Sequence, residues 1–169
     1  METHWKEIRQ VFGSAFASSF HYSIATVAPD GTPHVAPIGS VVLLEAGHGI
    51  YFEEFPTRMP SHFEQNAKVC VMGVNSGRRF WIRSLLRGRF DSPPAIRLHG
   101  VVGARRKATE AELAFFTRRV RRTRRTRGHR LLWTNMNMVR EIRFTKCDMV
   151  NLGAMTDEVY REWSARGPI

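Results

Sequence analysis

A series of short apolar runs separated by turn signals constrains the fold of this chain more than any other feature. The first two runs are joined by Pro29-Asp30-Gly31-Thr32, a strong turn signal that predicts a β-hairpin. No helix alternates regularly with the runs, which disfavours a parallel sheet. The pattern therefore predicts a mainly β fold, a small antiparallel barrel with peripheral helices. Its six predicted strands cover residues 22–28, 33–44, 69–74, 96–104 and 139–144, with a further one beginning at residues 50–52.

Helices are predicted at the periphery, the longest over residues 1–18 and 109–127. In the first, Trp5, Ile8 and Phe12 repeat at three- and four-residue spacing and form one apolar stripe. In the second, Thr109 and Glu112 have the spacing of a capping box, and the helix continues into a run of arginines. Shorter helices are predicted over residues 60–65 and 80–87. Because 169 residues suit one core and no linker or repeat is visible, residues 1–169 are predicted to form a single domain.

The basic charge of the chain is concentrated in two stretches. Lysine and arginine total 26 against 15 acidic residues, a net charge of +11. Eight arginines and no acid lie between Arg118 and Arg130, and residues 78–107 carry another net +8, so the remainder is net −5. Genomic composition bias explains such a skew, and so does binding of nucleic acid through the run from Arg118 to Arg130. The run lacks interleaved aromatics, so nucleic acid is kept only as the alternative partner.

Several classes of function lack their sequence signatures. Neither a Gly-x-Gly-x-x-Gly nor a Gly-Lys-Ser/Thr loop occurs, which disfavours Rossmann and P-loop enzymes. The seven histidines show no metal-binding spacing, so no metal site is expected. Cys70 and Cys147 form no Cys-x-x-Cys pair and indicate reduced core thiols. No signal peptide or membrane span is apparent, and a cytoplasmic protein without a membrane partner is expected.

Two segments resemble a known family. The hairpin at residues 24–39 combines a Pro-Asp-Gly turn with the strand start Pro33-His34-Val35-Ala36-Pro37. A second segment joins Ile50-Tyr51-Phe52 to Thr57-Arg58-Met59 and to a short helix and strand start at residues 63–69. Together they resemble the pyridoxamine 5′-phosphate oxidase-like, FMN-binding split-barrel family, clearly over residues 20–75 and loosely over residues 95–150.

The resemblance implies a six-stranded split β-barrel that forms a homodimer, with one FMN in each of two clefts between the subunits. The implied function is that of an FMN-dependent oxidoreductase acting on an unknown small molecule. Relatives of this fold also hold F420 or heme, so both remain alternatives to FMN. No catalytic residue is assigned, because a flavin ring carries the hydride itself. The C-terminal segment lacks the Arg-Leu-x-x-Arg pattern of vitamin B6 oxidases, and oxidation of pyridoxamine phosphate is therefore not expected.

The resemblance also implies a set of cofactor-binding residues. Thr57 and Arg58 take the places of residues that hold the FMN phosphate, whereas Met59 stands where the family has a lysine and cannot bind an anion. Arg83 or Ser61 is expected to supply the missing group. The remaining residues, expected along the flavin ring, are His34, Val35, Ala36 and Pro37 on one strand, Phe52 and Glu53 at the end of the next, and Trp81 from the partner subunit. For Phe52 and Trp81 the competing interpretation is ordinary core or interface packing, and for His34 an exposed position on a strand.

Overall fold

A computed structural model describes residues 2–54, 58–133 and 136–165. The strands are β1 (Tyr22–Val27), β2 (Pro33–Ile38), β3 (Val41–Leu43), β4 (His48–Phe52), β5 (Lys68–Val74), β6 (Ala95–Lys107) and β7 (Met138–Met149). The α-helices are α1 (Glu2–Ser19), α2 (Met59–Phe63), α3 (Arg78–Arg87), α4 (Glu110–Val120), α5 (Arg127–Trp133) and α6 (Asp157–Ala165). Short 3₁₀ turns occupy Arg121–Thr123 and Gly153–Thr156. In these ranges, every helix falls short of the length and hydropathy that crossing a bilayer requires.

All seven strands belong to one antiparallel sheet in the order β2-β1-β5-β6-β7-β4-β3. The two edge strands, β2 and β3, are consecutive in the chain and are separated only by Gly39 and Ser40. Three Cα–Cα steps span at most about 11 Å, so the sheet must curl until its edges approach each other. The predicted mainly β, antiparallel, barrel-like architecture is therefore confirmed.

The predicted strand count of six is wrong, because the run at residues 33–44 forms two strands rather than one. β2 pairs with β1, whereas β3 pairs with β4 at the other edge of the sheet. A Cβ on Gly39 would lie 2.9 Å from the carbonyl oxygen of Phe20, so the backbone approaches closely there. Ser40 donates its hydroxyl proton to the carbonyl oxygen of Phe52 at 2.9 Å, which ties the crossover to β4. The apolar pattern is continuous through this switch and does not reveal it.

The helix predicted over residues 1–18 is present as α1, and its apolar stripe covers the sheet. Ile8, Phe12 and Ala15 are buried against residues of β1, β5 and β6. At the other end of the chain, α6 buries Val159 and Trp163 in the same core, and this helix was not predicted because its sequence pattern is weak. A smaller core cluster joins Val42, Ile50 and Phe52 of the sheet to Phe116 and Val120 of α4.

The arginine-rich helix predicted over residues 109–127 is interrupted. Its start is confirmed, since Thr109 and Glu112 form both hydrogen bonds of a capping box. However, α4 ends at Val120, and the hydroxyl of Thr123 then donates to the Val120 carbonyl at 2.8 Å. The Thr126 hydroxyl oxygen accepts the N–H of His129 at 3.1 Å and so caps the start of α5. Threonine hydroxyls thus compete with the helical backbone and break the run in two.

The capping glutamate predicts a specific pH dependence of stability. Glu112 is 11% exposed and pairs with Arg106 at 2.7 Å; this hydrogen bond lowers the pKa of Glu112 from 4.5 to about 2. A carboxyl with a depressed pKa stabilises the fold above its unfolded-state pKa and loses that effect as the pH falls towards its folded-state pKa. We expect Glu112→Gln to lower the free energy of unfolding by about 1 to 2 kcal/mol at pH 7.

The test is urea denaturation of both proteins between pH 7 and pH 2.5. The difference between wild type and Glu112→Gln should shrink as the pH falls below about 4.5. Glu110→Gln, at an exposed position in the same first helical turn, serves as the control and should change stability by less than about 0.5 kcal/mol. A constant difference across this pH range would contradict the assignment.

Candidate functional site

A cavity of 370 Å³ lies where the ends of β2 and β4 meet α2 and α5. Its lining includes Ala36, Pro37, Phe52 and Met59, four of the residues expected to bind a cofactor. These four come from three separate chain segments, so the fold brings together positions that only the resemblance had connected. Such a concave and mainly apolar site, with a few polar groups, is typical of cofactor pockets.

Strand β2 presents alternate residues to opposite sides of the sheet. Ala36 is half-buried and Ile38 is buried, and both line the cavity. Val35, in contrast, is 65% exposed and does not line it. Of the expected row from His34 to Pro37, Ala36 and Pro37 therefore line the cavity, whereas His34 and Val35 do not.

Phe52 and Met59 form the apolar wall of the cavity. Both side chains are only 2% exposed. The Phe52 ring packs against Phe116 with centroids 4.7 Å apart, so it belongs to the smaller core cluster as well as to the cavity. By the resemblance a cation was expected at the position of Met59, and the burial of this side chain means that it contributes apolar contact instead.

Arg58 is the cation next to this wall. It is exposed, directly precedes α2, and has no ion pair in the described part of the chain. The Ser61 hydroxyl, also exposed, donates to the Arg58 carbonyl at 2.8 Å and retains its acceptor capacity. Thr57, the other expected phosphate ligand, lies outside the described residues.

Glu53 is engaged in a buried ion-pair network. Its carboxylate is 4% exposed and accepts hydrogen bonds from the Tyr51 hydroxyl at 2.8 Å and the Arg140 Nε at 2.7 Å. The Arg105 Nε lies 3.0 Å from its other oxygen. Burial, followed by the hydrogen bond to Glu53, raises the pKa of Tyr51. Glu53 thus fastens the end of β4 to β6 and β7, and these contacts occupy the carboxylate that was expected to face a flavin ring.

Trp81 and Arg83 lie on α3, beside a different cavity of 660 Å³ whose lining includes Arg83. The Trp81 indole donates to the Asn75 carbonyl at 2.7 Å and contacts the Phe90 ring edge to face at 5.2 Å. Arg83 pairs with Asp91 at 3.1 Å. Neither residue lines the cavity that contains Phe52 and Met59. The contact of Trp81 with a flavin of the partner subunit and the contact of Arg83 with the phosphate therefore stay predictions.

His34 belongs to a pair of histidines that the sequence did not indicate. Its ring meets that of His62 edge to face at 5.2 Å, and its Nδ1 is buried without a hydrogen-bond partner among the described residues. The Nδ1 of His62 lies 2.8 Å from the Thr26 hydroxyl, and Thr26 is directly opposite His34 in the β1–β2 register. The available sequence signal was the predicted hairpin, which places Thr26 and His34 on neighbouring strands.

Three further lining residues, Leu132, Trp133 and Met136, come from α5 and the residues after it. None was expected at the site, because the predicted helix ended at residue 127. The apolar triplet at residues 131–133, directly after the arginine run, was the available signal. In the structure Trp133 stacks edge to face on Phe116 at 5.5 Å, so α5 closes one side of the cavity.

Solved structures share this fold at low sequence identity. An FMN-binding protein from Syntrophomonas wolfei matches with a TM-score of 0.54 and 17% identity, covering 89% of this chain and 94% of that one. The heme storage protein HutZ from Vibrio cholerae matches with a TM-score of 0.52 and 14% identity over 85% and 92%. An F420 reductase gives 0.52 and 14% over 81% and 95%. At these identities the matches show the fold alone.

The sequence itself matches a family model. That model, described as pyridoxamine 5′-phosphate oxidase, aligns with residues 10–143, which include the hairpin, the cavity-lining parts of β2, β4, α2 and α5, and the whole run from Arg118 to Arg130. None of the curated protein sequences matches. Since the model spans well over half of the chain, this protein belongs to the pyridoxamine 5′-phosphate oxidase family.

Proposed function

We propose that the chain binds FMN in the cavity between β2, β4, α2 and α5 and acts, as a homodimer, as an oxidoreductase on a small molecule. The observation that carries this proposal is that the cavity unites Ala36, Pro37, Phe52 and Met59, and that Met59 directly follows Arg58, an exposed arginine without an ion pair among the described residues. An apolar wall next to a free cation suits a flat ring that bears a phosphate.

The ring portion of FMN fits the character of the cavity. The lining is mainly apolar, and no titratable side chain is among the described residues that form it. Among the described residues, β2 lies at the edge of the sheet and pairs with β1 alone, so alternate backbone N–H and C=O groups on its outer side have no strand partner there. Those groups are available to the polar edge of a flavin ring. A volume of 370 Å³ is small for a whole flavin, which supports completion of the site by a partner subunit.

The phosphate portion fits Arg58. A planar guanidinium grips phosphate oxygens through two parallel N–H donors, and such charge-assisted hydrogen bonds are the strong ones. Ser61, one helical turn further on, has an exposed hydroxyl. By the resemblance, an arginine and a lysine would share the phosphate. Met59 stands in place of that lysine, so we expect Arg58 to supply a larger part of the phosphate affinity.

Bound FMN would supply hydride transfer, while the protein supplies binding, orientation and exclusion of water. Phe52 and Trp133 keep water from the wall of the cavity, and the backbone of β2 fixes the plane in which a ring can lie. The neutral lining leaves protonation of a substrate to groups outside this cavity. The substrate we propose is therefore a small molecule that can enter the cavity beside the ring.

FMN is favoured over heme because the described residues that line this cavity include no histidine. F420 carries a related ring and a phosphate, so it satisfies the same apolar wall and the same cation. The absorption spectrum of the protein as isolated separates flavin-type bands from a Soret band, and mass spectrometry of the released cofactor separates FMN from F420.

The quantitative test is titration of free FMN with protein, followed by quenching of flavin fluorescence. Arg58→Ala should weaken FMN binding by about tenfold or more, since a charged hydrogen bond to phosphate is worth about 1.5 to 3 kcal/mol. Affinity for riboflavin, which lacks the phosphate, should stay within about twofold. The matched control is Arg125→Ala, an exposed arginine that lines none of the cavities described here. Unquenched FMN at high protein concentration, or equal FMN affinity for wild type and Arg58→Ala, would overturn the proposal.

A further inference from the structure

A second groove runs between α1 and the end of α4. It consists of two cavities of 320 and 710 Å³ that share Gly13, Phe16, Arg118 and Arg119 in their linings. We refer to these two cavities together as the arginine groove. Its cations are Arg9, Arg118, Arg119, Arg121 and Arg122, and no acidic residue is among the described residues that line it. A concave surface lined by cations alone raises the local concentration of anions.

Arg119 is the most unusual member of this lining. Its guanidinium donates hydrogen bonds to the Val41 carbonyl and the Tyr22 hydroxyl and lies over the Phe16 ring, 3.8 Å from the centroid. Burial lowers its pKa, the direction expected of a cation removed from water. No carboxylate in the described ranges pairs with it, although charges held away from water are normally paired. Three of its five N–H donors remain for an anion.

Aromatic side chains also line the arginine groove. Phe16, Phe20, Phe115 and Trp133 line it, and the Arg118 guanidinium lies 5.4 Å from the Phe115 ring centroid. Phe20 is 60% exposed and has a φ of 61°, a left-handed conformation that a bulky residue rarely adopts. Its ring meets Phe16 edge to face at 5.9 Å, which leaves a face open for stacking. A strained and exposed aromatic residue is costly for folding and marks a candidate contact for a ligand.

We propose that the arginine groove binds a nucleoside phosphate, with the phosphate against Arg118, Arg119 and Arg121 and the base stacked on Phe20. An inorganic anion would pair with the arginines but would make no stacking contact with Phe20. A nucleobase without a phosphate would stack on Phe20 but would leave the arginines without an anionic partner. The arginine groove and the proposed flavin cavity have only Trp133 in common, so the two ligands occupy separate places.

This assignment divides the run from Arg118 to Arg130 into two parts. Arg118, Arg119, Arg121 and Arg122 line the arginine groove, whereas Arg124, Arg125 and Arg127 are exposed and do not. The groove is lined by the end of α4 and by the 3₁₀ turn Arg121–Thr123 that follows it, and the lining part of the run ends with that turn. Nucleoside phosphates occur both free and in single-stranded nucleic acid, and the experiment compares both sources.

The experiment is isothermal titration calorimetry on full-length protein saturated with FMN, so that flavin sites are occupied. The probes are AMP, adenosine, inorganic tripolyphosphate and a single-stranded twelve-nucleotide oligoadenylate. We expect AMP to bind at least about tenfold more tightly than adenosine, the difference that a charge-assisted phosphate contact supplies. If the source is nucleic acid, the oligonucleotide should bind at least about a hundredfold more tightly than AMP, with steep salt dependence. If the source is a free nucleotide, the two affinities should agree per nucleotide.

The matched variants are two double substitutions in the same run. Arg118→Ala with Arg121→Ala should weaken AMP binding by about tenfold or more, whereas Arg124→Ala with Arg125→Ala should change it by less than about twofold. Phe20→Asn should also weaken AMP binding while leaving the thermal midpoint unchanged or raised, because asparagine tolerates the left-handed conformation.

Three results would overturn the proposal. Tripolyphosphate that binds as tightly as AMP would show a general surface for polyanions. Equal losses in the two double variants would show that charge alone matters. AMP binding that appears only in flavin-free protein would place the nucleotide in the flavin site. Flavin fluorescence measures FMN binding separately. A protein that does not bind FMN can therefore be distinguished from one that does not bind AMP in the arginine groove.

Discussion

Glu53→Ala is expected to lower the free energy of unfolding by about 3 to 5 kcal/mol, because it removes one partner of a buried ion pair and leaves the others unmatched. The Arg140 side chain is 16% exposed and loses the carboxylate that its Nε contacts at 2.7 Å. The Tyr51 hydroxyl, which donates to the same oxygen at 2.8 Å, loses its acceptor. The cost therefore comes from groups that stay buried after the substitution, not from the side chain that was removed.

The measurement is equilibrium urea unfolding monitored by circular dichroism. Glu54→Ala provides the matched control, since Glu54 is the next residue, has the same side chain and is exposed; its effect should stay below about 0.5 kcal/mol. Glu53→Gln should fall between the two, because an amide oxygen still accepts one hydrogen bond but carries no charge. A loss below about 1 kcal/mol in Glu53→Ala would mean that water or rearrangement satisfies Arg140, and the structural role given to Glu53 would be wrong.

The hairpin and the helix starts were predictable because their signals are local. Gly31 has a φ of 84° within the Pro29–Thr32 turn, and the Asp30 carboxylate accepts the N–H of Thr32 at 2.9 Å, so the turn encodes the β1–β2 register itself. The capping box at Thr109 is equally local. The crossover at Gly39 and Ser40 was not predictable, because it depends on which strand each half of an unbroken apolar run meets.

At the site, the resemblance located the parts of β2, β4 and α2 that line the cavity but not the roles of individual side chains. Glu53 lies 87 residues from Arg140 in the chain, and no local pattern indicates that pairing. The same holds for Trp133, which lines the cavity from α5, a helix that begins after the interruption at Thr123 and Thr126. Long-range packing decides which side of the sheet a side chain faces, and no local sequence pattern indicates that packing.

Phe52→Ala is expected to destabilise the protein by about 3 to 5 kcal/mol, the range for truncating a buried phenylalanine. The ring is 2% exposed, packs on Phe116 at 4.7 Å and lies in a core cluster with Val42, Ile50 and Val139. Since it also forms part of the cavity wall, truncation enlarges the cavity where a flavin ring is proposed to lie. Phe52→Leu keeps most of the apolar volume and should cost about 1 to 1.5 kcal/mol.

Comparing stability with flavin binding decides between the two interpretations of Phe52. If the ring serves only the core, Phe52→Leu should bind FMN as tightly as wild type once both are folded, as judged by fluorescence quenching. If it also contacts the flavin, Phe52→Leu should bind FMN several-fold more weakly than its small loss of stability accounts for. Val35→Ala, a change on the exposed side of β2, should leave both quantities unchanged. A Phe52→Ala protein as stable as wild type would remove Phe52 from the core and contradict the packing seen between β4 and α4. Because Phe52 also lines the cavity, that result would also argue against a preformed apolar wall at the proposed flavin site.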